Sequence, residues 1–397
     1  MPVLRASSAR KCLGGFFLLG LLVSFLGAIM PAWGYHLKSG FLTVGNFFLS
    51  MNIGMLASIK AATYLLSRRG IRAVLTLGSI LACSGFIYLA LVPEAASPWW
   101  RMAGVFVLGL SAGMLHTAVF HSISPLYARD AAATMNLAGV FFGLGCLVTA
   151  MLVASAFYTY SVTSILLLLA LMPLSFAILF AKSGFETIPL PRQPSLKEAF
   201  HDFRSPGALL LSLLLFIQFG NEWSIAGWLP LFLTQRLGVS PESSLHLLAF
   251  YWLSLLVGRI GMQAILPRVG HGKLLVASGF SALLGCGILY FTNNLFGAAS
   301  GILFVGGGFA VIYPLVAEMI GGRFPYYHPG FFNGIFSFAS TGGLLAPWTL
   351  GIYAHFWGIR VVMLPPVLGA CIVFLLAVLI WIYARLTRIP EVRAVSI

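Results

Sequence analysis

Charge is what this 397-residue chain has least of: Asp, Glu, Lys and Arg make up 8% of it, and only 9 residues are acidic. Soluble domains carry about 25% charged residues, so a water-exposed globular surface is excluded. A disordered chain is excluded too, because 60% of the residues are hydrophobic and the mean hydropathy is +0.98. Cysteine is scarce as well. Cys12, Cys83, Cys146, Cys286 and Cys371 fall inside or beside apolar runs without metal-ligand spacing, which argues against a disulfide framework or a zinc module. The sequence lacks a phosphate-binding glycine loop ending in Lys-Ser/Thr, a His-Glu-x-x-His pair, and a Ser/His/Asp set outside the apolar runs. Its loops are too short for a nucleotide-binding domain. Neither an enzyme nor an ATP-driven pump is expected, and no cofactor or metal is implied.

Long apolar runs are what the chain has instead. Bounded by Gly, Pro and charge, they give twelve predicted helices: 13–34, 41–64, 73–92, 99–121, 132–156, 160–181, 207–233, 244–267, 273–292, 296–320, 331–356 and 360–384. Twelve spans of about 20 residues need about 240 positions, which the hydrophobic share of the chain supplies. Long alternating patterns are missing, so an outer-membrane barrel is not expected. The 43 glycines suit helices packed backbone to backbone in lipid. The apolar run after Arg5, Arg10 and Lys11 is about twice as long as a signal-peptide core and has no small-x-small cleavage site, so it reads as an uncleaved first helix.

Basic residues alternate sides. The N-terminus, Arg68, Arg69, Arg72, Arg129, the 182–206 segment, Arg268, Lys273, Arg323 and the tail from Arg385 hold 17 of the 23 Lys and Arg. Lys38, Arg101, Arg236 and Arg360 fall on the other side, and Lys60 and Arg259 lie within helices. The positive-inside rule puts the 17, with both termini, in the cytoplasm of a bacterial inner-membrane protein. The formal net charge of +14 then needs no nucleic acid or other anionic partner.

The polar, proline-rich stretch 182–206 reads as a cytoplasmic linker between two six-helix bundles, 1–181 and 207–397. The two bundles share spacing. Asn136 and Gly145 match Asn333 and Gly342, and His121 matches Glu318, all offset by 197. Arg68-Arg69-Gly70 matches Arg268-Val269-Gly270 at an offset of 200. The expected fold is all-α, with twelve transmembrane helices in two parallel pseudo-repeats rocking about a site near the midplane. The other reading of these Asn and Gly positions is close helix packing.

Charge inside hydrocarbon is expensive, so its rare instances are informative. Glu222 lies at the centre of span seven in Gln218-Phe219-Gly220-Asn221-Glu222-Trp223. It must be held permanently by a cation, Arg259 being the natural one, or take up and release a proton as access alternates. Gln218, one turn away, is placed to bind a hydroxylated substrate beside it. Arg259 pairs either with Glu222 or, at an inner gate, with Glu318. His116 is a second proton-site candidate or a buried structural histidine, and His121 sits at the boundary. Tyr313-Pro314 after Gly306-Gly307-Gly308 marks a place where span ten can bend. Trp228, Trp252 and Trp348 are candidates for stacking on a ligand or for anchoring at the interface.

Twelve spans, a long central loop and Arg-x-Gly after spans two and eight resemble the major facilitator superfamily. Its inter-helix signature is degenerate here: Gly258-Arg259-Ile260-Gly261 with Pro267-Arg268-Val269-Gly270 in one half, Ser67-Arg68-Arg69-Gly70-Ile71-Arg72 in the other. Tyr251-Trp252 before Gly258-Arg259, and Gly220-Asn221-Glu222, are similar to patterns of the fucose permease and glucose/galactose symporters. That family places carboxylates in spans one and four. Here span one has no acid and span four offers only His116 and His121, which leaves Glu222 as the main coupling candidate.

The resemblance implies a monomeric secondary transporter that moves a sugar or similar small polar metabolite with protons, or with Na⁺. Proton coupling falls to Glu222 and His116, and binding to Gln218, Asn221, Glu222, His116, Tyr313 and Trp228. Gating or charge pairing falls to Arg259, Glu318, His121, Asn136 and Asn333. An exporter of amphipathic compounds on the same fold is the first alternative, favoured by the 33 Phe. A non-transporting membrane scaffold or sensor is the second.

Overall fold

The computed structural model describes residues 2–37, 40–185, 188–189, 195–324, 326–328 and 334–386. Helices follow one another as α1 (Pro2–Leu37), α2 (Phe41–Leu91), α3 (Pro98–Tyr127), α4 (Ala131–Ala156), α5 (Val162–Lys182), α6 (Leu196–Asp202), α7 (Pro206–Leu237), α8 (Pro241–Val269), α9 (His271–Phe291), α10 (Leu295–Arg323), α11 (Ile335–Trp357) and α12 (Leu364–Leu386). A 3-10 turn, Ile359–Met363, leads into α12. All but the short α6 are long and apolar enough to cross a membrane.

The 51 residues of α2 would reach about 76 Å as one straight helix, more than twice the hydrocarbon thickness. It is two spans. Gly70, at φ 75° and ψ 179°, reverses the chain in a backbone conformation that a Cβ disfavours. Contacts with α3 give the two arms opposite directions. In the first arm Ser50 Oγ donates to Met102 O (2.7 Å), and further along a Cβ on Gly109 would lie 3.1 Å from Gly54 Cα. In the second arm Ser111 Oγ donates to Gly78 O (2.7 Å), while a Cβ on Gly104 would lie 2.6 Å from Leu89 Cδ2. The twelve expected spans are thus present, two of them in α2.

Gly270, between α8 and α9, repeats the Gly70 geometry with φ 80° and ψ 153° at the offset read from the sequence. Another matched pair, offset by 199, is Pro31 inside α1 and Pro230 inside α7. Within 182–206 the structure adds α6, nucleated by a capping box: Ser195 N–H donates to Glu198 Oε2 (2.7 Å) and Glu198 N–H to Ser195 Oγ (3.2 Å).

Helix α1 packs on α4, and α2 on α3 and α5; α7 packs on α11 and α12, and α10 on α8 and α9. The two groups meet along α4–α8, α2–α11 and α1–α7. At the end away from the basic loops a Cβ on Gly351 would lie 2.7 Å from Gly45 Cα, and nearer the middle of the same two helices Asn52 Nδ2 donates to Leu344 O. At the basic end Tyr127 Oη donates across the interface to Ala317 O (3.3 Å), while Tyr326 and Tyr327, after α10, donate to Asp202 Oδ2 of α6 at 2.5 and 2.9 Å. The molecule is therefore pinned across its interface at both ends.

Candidate functional site

Between these seams lies a cavity lined by side chains of both halves of the molecule. Its wall is aromatic: Phe16, Phe120, Phe142, Phe219, Trp223, Tyr313 and Phe336 all contribute. Against that surface stand His116, Glu222, Arg259 and Ser340.

Glu222 is at the midpoint of α7 and 6% exposed. Its Oε1 is 3.9 Å from Nη2 of Arg259, itself 4% exposed and about 6 Å along α8 from that helix's midpoint. At 3.9 Å the two charges attract but are not hydrogen bonded. The guanidinium lies close to Gly139 of α4, where a Cβ would come within 2.7 Å of Cζ and push the Arg259 side chain aside. Arg259 Nε has no acceptor. One turn away on α4, Asn136 Nδ2 donates to the Arg259 carbonyl (3.0 Å), which ties α4 to α8 beside the pair.

His116 lines the cavity with its ring 4.5 Å from that of Phe120, and its Nδ1 makes no hydrogen bond. Tyr313 lines it too, edge-on to Phe219 at 4.9 Å. Of the residues expected to bind substrate, three lie elsewhere. Gln218 is fully buried beside Glu222 but outside the cavity lining, with both amide atoms lacking a hydrogen bond. Asn221 turns to α12, its Cγ 2.8 Å from where a Cβ on Gly369 would be. Trp228 Nε1 donates to Pro347 O (2.8 Å), and its ring stacks on Phe48.

The structure does not bring Arg259 and Glu318 together: their partners are Glu222 and His271. Glu318 lies about 13 Å beyond the midpoint of α10 and pairs with His271 at 2.8 Å, a full turn nearer the basic end than Arg259 reaches. His121 is buried at the end of α3, Nε2 3.1 Å from Ile188 O of the linker. Trp252 stands edge-on to Phe142, and the Trp348 carbonyl faces Gly45. Asn333 lies outside the described residues.

Sequence reading passed over Asn52, His271, Ser340 and the Asp202 carboxylate that two tyrosines share. An Asn within the apolar run Met51-Asn52-Ile53 was a legible signal; the contacts of Asp202 depend on loop geometry that periodicity does not carry. Burial and the neighbouring His121 and His116 hold His328, whose ring packs on Tyr127, down to about 3, and burial with the Asp202 carboxylate holds the Tyr327 phenol protonated well above its ordinary range.

Among the described residues, eleven apolar helices around a centrally placed, charge-bearing cavity define a multi-pass integral membrane protein of the transporter class. Residues 12–347 match the family model of the Major Facilitator Superfamily, and the chain belongs to that family. It is 25% identical over 394 residues to a glucose/galactose transporter of Brucella abortus, covering 89% of each chain. To the TsgA homologue of Buchnera aphidicola it is 22% identical over 389 residues, covering 94% of each. Its fold is similar to crystal structures of the E. coli fucose:proton symporter, one with a TM-score of 0.66 at 16% identity over 95% of this chain and 99% of the other.

Proposed function

We propose that the protein is a secondary transporter working by alternating access, coupling protons to a sugar or similar small polar metabolite. The observation that carries this reading is Glu222: a buried carboxylate lining a central cavity, near its cation but not hydrogen bonded to it. A carboxylate so placed takes up a proton when the cation is drawn away and returns it when the pair re-forms. The similarity to a fucose:proton symporter and a glucose/galactose transporter supports both the coupling ion and the solute class. The aromatic wall suits the C–H faces of a sugar ring while the few polar groups set its orientation. The excess of basic residues in alternate loops supports a cytoplasmic location for both termini, and the bacterial relatives support an inner-membrane location.

Proteoliposomes given an inward proton gradient test this. Gradient-driven accumulation of a labelled sugar or sugar derivative, lost in Glu222→Gln while solute exchange without a gradient persists, is the expected result. Full gradient-driven uptake by Glu222→Gln refutes the coupling role. Proton-driven extrusion of amphipathic dyes, with no solute uptake, establishes instead the exporter that an aromatic cavity also accommodates.

A further inference from the structure

We infer that the transported metabolite carries a carboxylate, which Arg259 receives as Glu222 takes up the coupling proton. This rests on the proton-coupled reading above and names the solute class more narrowly. Among the described residues, the cavity is lined by one acid, Glu222, and one permanent cation, Arg259. Arg259 is buried, its Nε has no acceptor, and its nearest approach to Glu222 is 3.9 Å. Its planar fork of five N–H donors matches a carboxylate, and it lies against Gly139 of α4.

Charge balance selects the solute. In the empty cavity Glu222 and Arg259 cancel. Protonating Glu222 beside a neutral solute strands a cation in a low-dielectric space, the costly outcome for buried charge. Protonating it as a solute carboxylate docks on Arg259 keeps the cavity neutral. The proton binds the Glu222 carboxylate, the solute anion takes the guanidinium, no covalent bond changes, and the loaded carrier moves no net charge. The other titratable groups near the pair are Tyr251 on α8, Tyr313 on α10, Cys146 on α4 and His116 on α3. Phenols and thiols are ordinarily uncharged at neutral pH, and a protonated His116 would add a second positive charge and strengthen the same preference.

The rest of the wall fits a solute held by one charge rather than by many hydroxyl contacts. The amide N–H groups that cross the interface nearby are spent on backbone: Asn52 on Leu344 O and Asn136 on Arg259 O. The Ser340 hydroxyl donates to Phe336 O. What remains is His116, whose Nδ1 makes no hydrogen bond, and Tyr313 in an otherwise apolar and aromatic wall that suits a ring or short chain. A hexose-sized sugar acid combines that body with the required anion.

The test is uptake by proteoliposomes under an inward proton gradient, comparing labelled D-glucuronate and D-galacturonate with D-glucose and D-galactose, with the membrane potential clamped by potassium and valinomycin. The acids are expected to accumulate at a rate independent of the clamped potential, and the neutral hexoses are not. Hexose uptake equal to or exceeding that of the acids overturns the carboxylate while leaving proton coupling intact. Gradient-driven uptake of none of the four overturns the inference and the reading beneath it. Arg259→Gln strands Glu222 and risks misfolding, so two further variants are used. Arg259→Lys keeps the charge but loses the fork and is expected to raise KM for the acid. The double variant Glu222→Gln with Arg259→Gln keeps the cavity neutral, and it is expected to lose the thermal stabilisation by glucuronate seen in the parent at acidic pH. Glucuronate stabilisation that survives in the double variant overturns the proposal.

Discussion

Replacing Gly351 by Ala isolates the seam that must open for solute to pass. The added methyl would stand 2.7 Å from Gly45 Cα, 2.9 Å from Phe41 O and 3.0 Å from Gly45 N, all backbone atoms with no rotamer to yield. Ordinary contact begins at 3.4 Å, so α2 and α11 must part by at least about 0.7 Å. Overpacking of this kind costs about 1–3 kcal/mol. Because the clash exists only while the seam is closed, the whole cost falls on that conformation and shifts the balance towards the open one about 5- to 150-fold. Nitroxide labels at Leu42 and Tyr353, exposed near the same end, report the change by pulsed EPR. A longer distance should gain population while steady-state uptake falls. Gly261→Ala is the control, because nothing lies within 4 Å of a Cβ there. Unchanged distances and unchanged uptake in Gly351→Ala would refute the idea that this glycine contact is the moving seam.

Three further outcomes follow from the same physics. Gly70→Ala has free space for its methyl but not the backbone freedom, since φ is 75°; a loss of about 1–3 kcal/mol should lower Tm, and an unchanged Tm means that the turn relaxes. Arg259→Gln alone should lower Tm steeply, by the equivalent of about 3–5 kcal/mol for a buried charge left unpaired, and adding Glu222→Gln should restore most of it. His328 titrates near 3 when folded and near 6.5 when unfolded. Between those values the unfolded chain holds the extra proton, so stability falls as pH drops from about 6.5, by about 2 kcal/mol at about pH 5 relative to neutral pH. His328→Gln should flatten that acid-side decline in Tm, and an unaltered slope assigns it to other groups.

The class of the protein and its central acid were legible because both follow from composition and from the cost of charge in hydrocarbon, neither of which depends on neighbours. Glu222 had to be special wherever its helix was placed. Which residues join it did depend on neighbours. Phe219, Glu222 and Trp223 share the α7 face that lines the cavity, while Gln218, at the edge of that face about 40° from Glu222 in helical phase, and Asn221, on the far side, lie outside the lining. Helix α7 is buried and apolar on almost every side, so its sequence gives the period but not the phase. Arg259 was left open between two acids for a related reason: depth in the bilayer decides, and it differs between α8 and α10 by more than a turn. Gly70 and Gly270 were readable as a matched pair because their backbone conformation demands glycine in either half. The seam contacts of Asn52 and Gly351 join helices about 300 residues apart in sequence, and no local pattern announces them.

Infrared difference spectroscopy of the reconstituted protein, stepped between neutral and acidic pH with a transported solute present, reads the charge state of Glu222 directly. A protonated-carboxyl band that grows on acidification and disappears in Glu222→Gln is the expected result. Identical difference spectra for the two proteins would mean that Glu222 keeps one charge state throughout, and proton coupling at this site would be untenable.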